Sequence, residues 1–291
     1  MVNNKNDHFY KHILDRYESL SQQQRKVADY TMNNIDDVIY FPIARLMDSI
    51  GVSQATIVRF AQALGYNGFN EFRDALFAYR RRYLSPEGRM RHSIETLEKD
   101  SPKYERITRK EIAYLERAIS SVDESVLNAA IDTILRAKTL YVFGLGADEH
   151  LACYLHFRLR RLKIHCQLVT SSGRNIFEHL LLLGSDDAAV VYGFLKPSVD
   201  FKRIMALLSD RKTSIILITD MQNPPVIRQA DFVLHAERGE PGTYPSPLVP
   251  LSITHALIRG TADRLEDRAI DALKDLGDMR NEYYHTDKFK S

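Results

Sequence analysis

Two groups of residues in this sequence have the types and spacing that recognition chemistry needs. The first lies in "IARLMDSIGVSQATIVRFAQALGY", Ile43 to Tyr66. Ser53 stands where its hydroxyl can cap a helix and also reach a phosphate. Gln54, Ala55, Thr56 and Arg59 then fall on one side of that helix, near its N-terminal end. Glutamine pairs bidentately with adenine, arginine with guanine, and alanine or threonine can touch a thymine methyl. Lys26 and the run Arg80–Arg82 are candidate phosphate contacts, which add salt-dependent affinity without sequence discrimination.

The second group is "YVFGLGADEH", Tyr141 to His150. A glycine turn between a strand and a helix often cradles an anion, yet Asp148 and Glu149 follow at once and would repel one. Carboxylates in a helix's first turn also have a plain use, since each complements the macrodipole by ~0.3–1 kcal/mol. The turn lacks the third glycine of a dinucleotide fingerprint, and "CQLVTSS" ends a second strand in hydroxyls rather than an acid. No nicotinamide or other cofactor is expected. Glu149, Glu237 and His255 are the groups available as a base for sugar isomerisation, but any pocket offers such groups. His150 and Cys153, with Glu149 four positions before the cysteine, fall short of a metal ligand set, and no metal is expected.

These groups need scaffolds of two kinds. Up to about residue 82 the pattern is helical, with Ser21 as an N-cap, Asp36 and Asp37 opening a short turn, and Pro42 preceding a helix. Gly51 between two short helices completes the layout of a helix-turn-helix, whose second helix enters the major groove. Val58, Ala61 and Leu64 are expected to face inward, and "FNEFRDALFAYRRR" to form a further amphipathic helix. The segment "SPEGRMRHSIETLEKDSP" (85–102) reads as a linker, with its two Ser-Pro pairs and high charge. Helical patterns resume at "KEIAYLERAI" and, capped by Asp123, at "DESVLNAAIDTILRA".

Five apolar runs follow: Leu140–Phe143, His165–Val169, Ala189–Phe194, Ile215–Thr219 and Phe232–His235. Being continuous rather than alternating, they suit parallel strands covered on both faces, and helical patterns separate the first four. The fold class that follows is an all-α helix-turn-helix domain joined to an α/β domain. The latter holds a five-stranded, parallel, doubly wound, flavodoxin-like sheet, whose ligands sit at the C-terminal strand ends.

The bulk numbers bound the rest. With 291 residues and 44% hydrophobic content there is material for two globular domains. A net charge of +2 does not itself announce nucleic acid. The start "MVNNKNDHFY" shows no secretory leader, and no apolar run approaches the ~18 residues that span a bilayer. Two cysteines are too few for a disulfide scaffold, so a cytoplasmic setting is expected.

The stretch from Leu20 to Leu76, with "GVSQATIVRF" at its centre, resembles the N-terminal domain of the RpiR/MurR-type bacterial transcriptional regulators. The order "TLYVFGLG…FRLRRLKIHCQLVT…DDAAVVYGF…SIILITD…ADFVLHAE" is similar, more loosely, to their sugar isomerase (SIS) domain. The resemblance implies a helix-turn-helix domain over 1–84, a linker and connecting helix over 85–122, and an SIS-like effector and dimerisation domain over 123–291. It implies double-stranded operator DNA and a small effector, possibly a sugar phosphate, as partners of a homodimer or tetramer, with Lys26, Ser53, Gln54, Ala55, Thr56 and Arg59 toward the DNA. The effector is then held by Gly144, Gly146, Asp148 and Glu149 after the first strand and by Ser171 and Ser172 after the second. Lys196 and Ser198 serve after the third, where "YGFLKPSVD" replaces the family's Ser-x-Ser-Gly-x-Thr pattern. The competing function is an aldose–ketose-type sugar phosphate isomerase with an accessory helical domain.

Overall fold

The structure, a computed structural model, describes residues 9–96, 102–195, 197–221, 226–240 and 242–285. It divides into two compact units. One runs to Pro102 and includes Gly239–Pro245; the other holds Lys103–Arg238 and the chain from Ser246 onward.

The first unit is helical: α1 (Phe9–Tyr17), α2 (Gln22–Asn33), α3 (Ile35–Tyr40), α4 (Ile43–Ile50), α5 (Gln54–Ala63), α6 (Phe69–Tyr79) and α7 (Pro86–Thr96). Ser21 caps α2 in a reciprocal box: it accepts from the Gln24 amide while the Gln24 side chain accepts from the Ser21 amide. The core is built on rings, with Phe72 fully buried against Phe9, Phe60, Tyr66 and Phe69. Between α6 and α7 the chain makes one π-helical turn, Arg80–Leu84.

The segment after Ser85, expected as a linker, is helical over Pro86–Thr96. The Ser85 hydroxyl accepts from the Gly88 amide, and proline occupies the first helical position, where its missing N–H costs nothing. The inward face of α5 is Ile57, Phe60, Ala61 and Leu64, all buried, whereas Val58 is half-exposed. That set follows the i, i+3, i+4, i+7 stripe; Val58 lies one position off it.

The second unit contains α8 (Lys103–Ser121), α9 (Glu124–Arg136), β1 (Leu140–Gly144), α10 (Glu149–Arg160), β2 (Cys166–Val169), α11 (Ile176–Leu180), β3 (Ala188–Tyr192), α12 (Val199–Asp210), β4 (Ser214–Thr219), β5 (Phe232–His235), α13 (Leu248–Leu265) and α14 (Asp267–His285). Asp123 caps α9 by accepting from the Ser125 and Val126 amides. The strands are all parallel in the order β2-β1-β3-β4-β5.

Alternate residues feed two cores. Leu140, Val142, Val190, Ile216 and Ile218 pack toward residues of α9, α10 and α13. Tyr141, Phe143, Val191, Ile215 and Leu217 pack toward α11 and α12. Burial on both faces explains why the strands read as unbroken apolar runs. The strand order reverses between β1 and β3, which puts a ligand crevice at the C-terminal ends of those two strands.

Candidate functional site

In the helical unit, α4 ends on Gly51 at φ 72°, a left-handed conformation that glycine adopts without a Cβ penalty. The Gly51 and Val52 amides both return to the Met47 carbonyl, which closes the turn. Ser53 is extended and its Oγ accepts from the Thr56 amide at 3.3 Å, so α5 starts with one free amide satisfied. Arg16 reaches across from α1 to donate to the Ala63 carbonyl at 2.8 Å, which ties down the other end of α5. A helix clamped at both ends holds its exposed side chains in a fixed frame.

Gln54, Ala55 and Arg59 are exposed on α5, and Thr56 is half-buried with its hydroxyl 3.0 Å from that of Ser53. Gln54 and Val58 also border an open concavity of about 620 Å³ that Phe69, Asn70 and Arg73 help to line. Lys26 is exposed on α2. Arg80 is committed elsewhere: it donates to Asp36, and this bond raises its already high pKa.

In the α/β unit, Gly144 ends β1 under the carbonyl of Asp148. A Cβ there would lie 2.6 Å from that oxygen and 2.7 Å from the Ala152 Cβ, so only glycine lets the turn pass. Gly146 takes φ 61°, and a short turn leads into α10. Glu149 opens α10 exposed, while Asp148 has its side chain only 20% exposed.

Asp148 meets two residues from other strands. Arg238, just beyond β5, has Nη1 3.9 Å from Asp148 Oδ1 and donates from Nε to Asp220 Oδ2 at 2.9 Å. Asp220 follows β4, and its other oxygen accepts from the Leu195 amide at 2.6 Å. The Arg238 guanidinium also stacks over the Phe194 ring, 4.2 Å from its centroid. Burial pushes the Asp148 carboxyl up to about 6; Arg238 pulls it down and Asp220 pushes it up further.

After β2, Ser171 is half-buried with Oγ 3.4 Å from His179 Nε2, and Ser172 is exposed and caps nothing with its side chain. The Gly173 amide donates to Asp200 Oδ2 at 3.0 Å. Ser198 caps α12 by accepting from the Phe201 amide at 3.1 Å. Lys196 lies outside the described residues.

The groups considered for sugar isomerisation are dispersed or occupied. Glu237 forms a two-pronged pair with Arg117 at 2.7 and 2.9 Å, His255 Nδ1 lies 3.2 Å from the Tyr154 hydroxyl, and Glu149 is on the surface. Cys153 and Cys166 are free and half-buried, and burial raises the Cys166 thiol to about 11. No helix among the described residues is long and apolar enough to cross a membrane.

Comparison with known proteins matches residues 8–81 to the rpiR-family helix-turn-helix domain and residues 133–258 to the SIS domain. The chain belongs to the RpiR family of transcriptional regulators. An uncharacterized HTH-type transcriptional regulator of Clostridium perfringens is 23% identical over 228 residues, 76% of this chain and 80% of that protein. The sugar isomerase domain of an RpiR transcription factor from Sphaerobacter thermophilus superposes with TM-score 0.57 at 24% identity, over 61% of this chain and 99% of that one. The Vibrio vulnificus NanR protein complexed with ManNAc-6P superposes with the same TM-score at 18% identity, over 93% of this chain and 97% of that one. These likenesses show a shared fold.

Asp148 was expected from the sequence; its neighbours Asp220 and Arg238 were not. Their signal was present: "LITD" ends a strand in a carboxylate, and "HAERG" carries a guanidinium just past another. Only the strand order shows that these ends converge on the turn after β1. Asp200 was missed as well, since its bond to Gly173 spans 27 positions.

Proposed function

We propose that this RpiR-family regulator is a cytoplasmic, non-catalytic dimer that binds operator DNA through α5 and senses a sugar-derived phosphate through its SIS unit. The observation that carries the reading is α5 itself, capped by Ser53, anchored by Arg16, and presenting Gln54 and Arg59 to solvent. Gln54 offers the donor and acceptor pair that reads adenine in the major groove, and Arg59 the paired donors that read guanine. Lys26 and Ser53 supply phosphate contacts beside it.

The strand-end crevice supports a small-molecule effector, and the likeness to NanR complexed with ManNAc-6P supports a sugar phosphate as its class. The engagement of Glu237 and His255 in other contacts supports sensing over isomerisation. The effector acts by linkage: it favours one arrangement of the paired subunits and so changes the spacing of their recognition helices. Twofold symmetry then calls for half-sites about 34 Å apart.

A gel shift with the DNA upstream of the protein's own gene tests this reading. Specific, salt-sensitive binding is expected, weakened by about 1–3 kcal/mol in Arg59→Ala with relaxed preference at one base pair. Binding that Arg59→Ala leaves unchanged, or no binding that survives competitor DNA, contradicts it.

A further inference from the structure

The amides best placed to hold a phosphate at the strand ends are already occupied. The Gly173 amide after β2 bonds to Asp200, and the Leu195 amide after β3 bonds to Asp220. Both acceptors are the chain's own carboxylates, fixed by the fold. A phosphate arriving at either loop meets a negative charge.

The groups left over are of a different kind. Arg238 is 11% exposed, and its Nη2 is fully buried without a hydrogen-bond partner among the described residues. An unsatisfied guanidinium nitrogen in such a place costs free energy until an acceptor reaches it. Among the described residues, Asp148 makes only the long 3.9 Å approach to Arg238. Asp148 and Asp220 together set two carboxylates against one guanidinium among the described residues, which leaves one negative charge in excess. An anion worsens this imbalance, whereas a cation cancels it.

We propose that the centre formed by Asp148, Asp220 and Arg238 receives a protonated amine of the effector against Asp148. The sensed metabolite is therefore an amino sugar with a free amine. Any phosphate it carries lies away from this centre. The inference rests on the effector role of the SIS unit proposed above and names the chemical class that fits.

Binding of glucosamine, galactosamine and mannosamine to the full-length protein tests it by calorimetry, each free and as the 6-phosphate. Each is measured beside its N-acetyl and its plain hexose counterpart. At least one amine is expected to bind at pH 7.5 with a Kd about tenfold or more below both counterparts. The preference should disappear in Asp148→Asn. It should also fade at pH 5, where Asp148, whose charged neighbours are Arg238 and Asp220, takes up a proton.

Equal or tighter binding of the N-acetyl or hexose forms overturns the proposal. So does an amine preference that survives Asp148→Asn, or a failure of every amine to bind. The gel shift with Arg59→Ala separates these failures from a failure of the regulator reading, because it does not involve the pocket.

Discussion

Asp148→Asn is expected to stabilise the SIS unit at pH 7 by about 3 kcal/mol. The carboxyl sits at about 6 in the folded protein, against an ordinary value near 3.8. Each unit of displacement is worth ~1.4 kcal/mol. A raised carboxyl binds its proton more tightly when folded than when unfolded. Stability drawn from Asp148 is thus full below pH 4, falls as pH rises from about 4 to 6, and stays low above that.

An asparagine does not ionise, so the variant escapes this loss. Denaturant unfolding of both proteins at pH 4 and at pH 7 should show a gap that opens with pH. A gap of the same size at both pH values contradicts the account, as does a variant less stable at pH 7. A charge kept at such a cost, beside a guanidinium nitrogen with no acceptor among the described residues, is the kind of local destabilisation that binding sites retain.

The second large effect belongs to the DNA-binding unit. Phe72 is fully buried, and four rings stand with centroids 5.4 to 6.3 Å from its own. Phe72→Ala removes the shared partner of these rings and leaves a cavity that helices on several sides cannot close. A loss of about 3–5 kcal/mol is expected, a large share of the ~5–15 kcal/mol that typically holds a domain together. Thermal unfolding followed by circular dichroism should show an earlier helical transition, together with loss of operator binding. Since α5 contributes Phe60 to the same ring cluster, DNA binding cannot survive its collapse. An unchanged melting curve would mean that the unit is not held by this cluster.

How much of this was legible in the sequence differs between the two units. Local chemistry fixes the helix-turn-helix: Gly51 for the turn, Ser53 for the cap, and a polar N-terminal face on α5 are all short-range features. Val58, expected to face inward, is half-buried and packs at the edge of the core whose centre Ile57 and Phe60 fill. Ser85-Pro86 was ambiguous, since the same dipeptide opens helices and punctuates linkers. In the SIS unit all five strands were visible as apolar runs, because burial on both faces writes itself into composition. The site was half visible. Asp148 stood beside its glycine turn, but Asp220, Arg238 and Asp200 reach their partners only through strand order and crossover, which leave no mark in local spacing.

The most direct test of the whole account is operator affinity measured with and without effector. Fluorescence anisotropy with a labelled duplex from the upstream region gives the Kd of the wild-type protein and of Asp148→Asn. A saturating concentration of the tightest-binding sugar is then added to each. The account predicts a change of about 5- to 150-fold in the wild-type Kd, the range of an allosteric coupling, and little change in the variant. An operator affinity that is the same with the pocket empty and full would contradict it.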